Sequence, residues 1–182
     1  MNKTLKTTLT LSLVVLLAAC SNTAPKDSHA GHNHGPASPK ETSTPAVAAS
    51  LKDSNLNAVY KQYQLLTTAL TEGDAATAKV SAMAIEAGAQ GVKGGTALAT
   101  TAAQITAAKN LDTQRTLYAT LNNHFIALLK DTGLESGELY VAHCPMALND
   151  KGASWVSQVK EIRNPYFGES MLTCGSVTET LN

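Results

Sequence analysis

Soft donor atoms crowd into two short stretches of this sequence. "YVAHCPMALND", residues 140–150, sets His143, Cys144 and Met146 within four positions, and "GESMLTCGS", residues 168–176, places Met171 and Cys174 three apart. The chain has only three cysteines and four methionines, so two of each fall in these segments. Thiolate, thioether and imidazole groups are the ligands of a soft d¹⁰ cation such as Cu(I). Pro145 restricts the backbone between Cys144 and Met146, and Met171 and Cys174 would share a face if their segment were helical. Zinc is more often held by cysteine and histidine alone and calcium by oxygens, so a methionine-bearing site leans towards copper or silver.

His143, Cys144, Met146, Met171 and Cys174 are therefore the candidate metal ligands, with Cu(I) the expected ion and Ag(I) or Zn the alternatives. A second reading uses the same atoms. Cys144 and Cys174 can form a disulfide closing a loop of about 30 residues, which contributes roughly 3 to 4 kcal/mol by chain-entropy arguments. Met146 and Met171 would then be packing residues. Both readings stay open at the level of sequence.

The N-terminus decides which compartment these groups meet. Lys3 and Lys6 precede the apolar run "LTLSLVVLLAAC", which is too short to cross a bilayer comfortably and ends in small residues. Leu17-Ala18-Ala19-Cys20 looks like a bacterial lipobox, with residues 1–19 a signal peptide and Cys20 the lipidated first residue after cleavage. Ser21 rather than aspartate follows the cysteine, which points to the outer membrane. The expected product is exported, faces the periplasm and is held to the membrane by its N-terminal lipid. With Cys20 lipidated, Cys144 and Cys174 are the two thiols left, in an oxidising compartment.

Residues 20–50 read as a flexible tether, rich in Ser, Thr, Pro, Gly and Ala with almost nothing large and apolar to bury. Within it "HAGHNHG" carries His29, His32 and His34, a weaker set of candidate metal ligands that lacks fixed geometry. They could act as an antenna that raises the local metal concentration.

Residues 51–182 form the expected folded domain. Leu56, Val59, Tyr60, Tyr63, Leu66 and Leu70 recur at helical spacing and Gly73 ends that helix. Asp74 is the expected N-cap of a second helix, whose buried side is read as Val80, Met83, Ile85 and Ala87. Gly91, Gly94 and Gly95 break the chain before an alanine- and threonine-rich third segment from Thr96 to Lys109. Asp112 is the expected cap of a fourth helix with the stripe Leu117, Leu121, Phe125, Leu128 and Leu129, ended by "KDTG". Four helical segments on short loops predict a mainly all-α fold, an antiparallel four-helix bundle. The aromatic content of 4% and the many alanines predict close helix packing through small residues. Residues 134–182 depart from this pattern and are expected to form an irregular cap. In it "GELYVAHCPM" looks extended, while Trp155, Val156 and Ile162 stand at roughly helical spacing before the turn "NPYFG".

Formal net charge is zero, which gives no bulk electrostatic reason to bind nucleic acid. No nucleophile elbow, phosphate loop or catalytic carboxylate pair is present, and the cysteines are not a C-x-x-C pair, so no enzymatic activity is expected.

The C-terminal third resembles a bacterial family known as domain of unknown function 3347. Its features stand here as Cys144-Pro145-Met146-Ala147, Trp155, the run from Ile162 through Arg163, Asn164, Pro165, Tyr166 and Phe167 to Gly168, then Met171-Leu172 and Cys174-Gly175. Members of that family occur as small exported proteins and as additions to periplasmic adaptors of copper/silver efflux pumps. The Cys-Pro-Met element is also similar to the CPMHP segment of a short heavy-metal-binding domain, although Ala147 stands in place of its histidine and that ligand geometry does not carry over. The resemblance implies copper handling, with an efflux adaptor or another copper-handling protein as partner. The expected function is thus a lipid-anchored periplasmic protein that holds or delivers Cu(I). The alternative is a structural or interaction module with a Cys144–Cys174 disulfide that docks on an efflux adaptor without metal.

Overall fold

The computed structural model describes residues 48–182. The expected signal peptide, Cys20, His29, His32, His34 and nearly all of the expected tether lie outside the described residues. The fold is mainly helical, with a small antiparallel sheet near the C-terminus. A two-residue strand, β1 (Ser50–Leu51), leads into α1 (Ser54–Glu72), α2 (Ala75–Ala89), α3 (Thr96–Ala107) and α4 (Leu111–Thr132). Next come β2 (Leu134–Ser136), β3 (Leu139–Cys144), β4 (Ala153–Ser157) and β5 (Ser176–Leu181). β1 pairs with β2, so the chain entering α1 is tied to the chain leaving α4. β3 is the centre of a three-stranded sheet, antiparallel to β4 on one side and β5 on the other.

Local signals account for the helix ends. Asp53 caps α1 by accepting from the Leu56 N–H, and Asp74 caps α2 by accepting from the amides of Ala76 and Thr77. Gly73 and Gly133 end α1 and α4 with left-handed φ angles. The cap of α4 is Asn110, whose side chain accepts from the Thr113 N–H, rather than Asp112. Asp112 sits in the first turn, where its charge complements the helix dipole.

The predicted stripe of α1 is buried throughout. That of α4 is buried from Leu121 onward, while Leu117 is half-buried and the stripe also takes in Gln114, Tyr118 and Asn122. The stripe of α2 is rotated from the expected one. Ala78, Ser81, Ala82, Ile85 and Ala89 face inward, whereas Val80 and Met83 are 67% and 56% exposed and Ala87 is exposed too. Small residues give α2 its inner face, because α1 approaches so closely that a Cβ on Gly88 would lie 2.9 Å from Val59 Cγ2. α2 packs in turn on α3, and α3 on α4.

The C-terminal third is more regular than an irregular cap. Trp155 and Val156, expected on a helix, lie in β4, and Ile162 follows in a loop. Leu139, Ala142, Cys144, Ala153, Trp155 and Val156 join the helical core in one cluster.

Candidate functional site

β3 delivers His143 and Cys144 at its end, in register with Ser154 and Ala153 of β4. Successive residues of a strand point to opposite faces. Cys144 is fully buried, while His143 is half-buried with its Nδ1 2.9 Å from Ser154 Oγ. The two neighbours in sequence therefore serve different sides of the sheet.

Cys144 and Cys174 form a disulfide, with Cα atoms 5.8 Å apart across 30 residues of sequence. A disulfide sulfur is a far poorer ligand than a thiolate, so in this state the cysteines offer no thiolate pair. Beyond Cys144 the chain makes an unusual turn. Leu148, Asn149 and Asp150 have φ of 56°, 57° and 63°, three successive side-chain-bearing residues in the left-handed region. Such residues cost about 1 to 2 kcal/mol each, more for the branched leucine than for asparagine or aspartate. Met146 precedes this turn and is 50% exposed, and Ala147 is buried beneath it. Met171 ends a 3₁₀ turn, Gly168–Met171, and is half-buried. Cys174 lies beyond that turn, so the two do not share a helix face. Among the described residues no three His, Cys, Asp or Glu side chains come together to hold a metal. His124 is half-buried on α4, as a helix-lining residue would be.

The residues around the sulfurs form a clasp. Asn164 is fully buried; its Oδ1 accepts from the amides of Tyr166 (2.8 Å) and Phe167 (3.3 Å), and its Nδ2 donates to the Cys174 carbonyl (2.8 Å). The NPYFG turn and the disulfide are thereby one unit. Arg115 of α4 fixes this unit from outside, donating through Nε to the Pro165 carbonyl (2.9 Å) and through Nη2 to the Leu70 carbonyl of α1 (2.8 Å). Gly168, at φ +58°, leaves room for that approach, since a Cβ there would lie 2.7 Å from the Thr71 carbonyl oxygen.

Tyrosines carry the clasp into the helices. The Tyr166 hydroxyl donates to the Ser154 carbonyl (2.6 Å) and accepts from Asn122 Nδ2 (3.2 Å). Asn122 Oδ1 accepts from the Tyr63 hydroxyl (2.5 Å), and Tyr63 accepts from the Val156 amide (2.8 Å) and from Tyr118 (2.9 Å). Tyr118 also lies 2.6 Å from Thr67 Oγ1. Two groups on the outer edge of β4, the Val156 N–H and the Ser154 C=O, are thus satisfied by phenols. Burial pushes the Tyr118 phenol up to about 12 and raises Tyr63 and Tyr166 well above the usual value.

Asn122, Asn164 and Gln114 are fully buried polar residues that pattern reading passed over. Asn122 and Gln114 fall on the same helical face as Tyr118, Leu121 and Phe125, and that placement was the available signal. Asn164 precedes a proline in a turn, where an asparagine side chain commonly bonds the backbone just ahead of it.

No curated protein and no solved structure matches the chain. Residues 59–137 match the family described as protein of unknown function (DUF3347), a segment that ends before His143 and so leaves the Cys/Met-bearing residues outside it. The likeness to this family is therefore one of the segment from α1 to β2.

Proposed function

We propose that this protein is an exported, lipid-tethered interaction module of heavy-metal homeostasis, whose C-terminal cysteines act as a structural clasp. The scaffold in this reading is an antiparallel four-helix bundle, supported by the successive packing of α1 on α2, α2 on α3 and α3 on α4. One observation carries the reading. The disulfide, Asn164 and the tyrosine network fix the sheet on the helices, which leaves Cys144 and Cys174 occupied with each other. The tether would place the module on the periplasmic face of the outer membrane through Cys20, where an efflux adaptor is the partner implied by the family resemblance.

A second reading keeps Cu(I), or Ag(I), as cargo. It is favoured by Met146, half-exposed beside a turn of three left-handed residues. In that reading an external dithiol reduces the Cys144–Cys174 disulfide by thiol–disulfide exchange, itself becoming a disulfide and passing on two electrons and two protons; the two thiols released lose their protons as Cu(I) binds, with Met146, Met171 and His143 as neighbouring donors. Zn fits less well because of the methionines.

Titration with Cu(I) against a competing chelator separates the two. The clasp reading predicts that the oxidised protein with His29, His32 and His34 replaced takes no Cu(I) from the chelator. It also predicts that the variant still associates with a periplasmic adaptor of a copper/silver pump in a pull-down. Stoichiometric Cu(I) uptake by the oxidised variant would overturn the clasp reading; uptake only after reduction would favour the second.

A further inference from the structure

α2 carries two apolar faces, and the other described residues cover one. Ala78, Ala82, Ile85 and Ala89 pack inward. Ala76, Val80, Met83 and Ala87 are all exposed, and their spacing of four, three and four residues is that of a coiled-coil seam. At about 100° per residue the centre of this seam lies roughly opposite the centre of the buried face. In heptad terms Val80 and Ala87 occupy a positions and Ala76 and Met83 occupy d positions.

The flanking charges select a partner. Lys79 and Glu86 both stand at g positions, one turn pair apart on the same side of the seam, while the e positions hold the neutral Thr77 and Ala84. In an antiparallel pair of identical helices g faces g, so a two-fold axis between Val80 and Met83 sets Lys79 of each copy beside Glu86 of the other. Parallel pairing would instead set Lys79 against Ala84 and Glu86 against Gly91, with no charge complement. We infer that α2 is the interface between two copies of this chain, packed antiparallel through Ala76, Val80, Met83 and Ala87 with two Lys79–Glu86 pairs at its rim. The seam is four residues long, so the dimer is weak in dilute solution.

Sedimentation velocity of the purified full chain over a wide concentration series tests this. The expected result is a monomer–dimer equilibrium. Val80→Asp should weaken the dimer by roughly tenfold or more, since it buries a charge at the seam centre. Its thermal melt should match the parent, because Val80 is exposed in the monomer. Lys79→Glu alone and Glu86→Lys alone should each weaken the dimer by roughly threefold, and the double exchange should restore it. A monomer at every concentration, or a dimer indifferent to Val80→Asp, would overturn the interface. Failure of the double exchange to restore association would overturn the antiparallel arrangement.

Discussion

Two seams hold this molecule together by different physics. Between α1 and α2 the contact is made by small side chains, with Gly88 against Val59 and the alanines of α2 filling the space. Between α1, α4 and the sheet it is made by large aromatics that stack and hydrogen-bond at once. Tyr63 and Phe125 lie 4.3 Å apart centroid to centroid, Tyr63 and Tyr118 5.8 Å, and Trp155 meets Tyr166 edge-on at 6.1 Å. The first seam is set by shape and is indifferent to pH and redox state. The second joins segments distant in sequence through phenols, amides and a disulfide, so it specifies one arrangement and is vulnerable wherever a single partner is lost.

The sharpest way to split the two seams is alkali. Each buried phenol is neutral when protonated, and its folded pKa lies above the unfolded value of 10.0, at about 12 for Tyr118 and well above the usual value for Tyr63 and Tyr166. The folded state therefore holds these protons more tightly. The stability that results is whole below pH 10 and is lost as pH rises through about 12. Cooperative unfolding above pH 10, followed by tyrosinate absorbance and circular dichroism together, is the expected outcome; tyrosinate formation without unfolding would place the phenols in water.

Reduction, or Cys144→Ser with Cys174→Ser, comes next in size. A loop closed across 30 residues should contribute about 3 to 4 kcal/mol, read as a fall in the urea midpoint. Tyr63→Phe should cost about 1 to 3 kcal/mol, because it strands the Val156 N–H and Asn122 Oδ1 in the core. The smallest effect belongs to the other seam. Gly88→Ala adds a methyl 2.9 Å from Val59 Cγ2, and overpacking of about 1 to 3 kcal/mol is offset by about 1 kcal/mol of helix propensity. A net loss near 1 kcal/mol in thermal melts is expected, with no change in the alkaline transition.

The aliphatic–aromatic helix was legible because its core positions repeat at one period. Leu56, Val59, Tyr60, Tyr63, Leu66 and Leu70 are large and face one way. α2 misled because alanines mark no side, and the larger Val80 and Met83 drew the stripe towards the exposed face. β4 misled because Trp155, Val156 and Ile162 mimic a helical repeat across what is a strand followed by a loop. β5 was missed although Val177, Thr178 and Thr180 carry the β-branched signal for it. At the site, the crowding of soft donors in sequence is plain, but strand alternation sends His143 and Cys144 to opposite faces. Which donors converge is a tertiary property that spacing within a segment does not encode.

Hydrogen exchange at the Val156 amide tests the clasp most directly. This N–H points off the open edge of β4 and its partner is the Tyr63 hydroxyl. If the tyrosine network fixes the sheet to the helices, the amide should exchange only through global opening in the parent and much faster in Tyr63→Phe. Exchange in the parent as fast as that of an exposed loop, or equal protection in both proteins, would contradict the account.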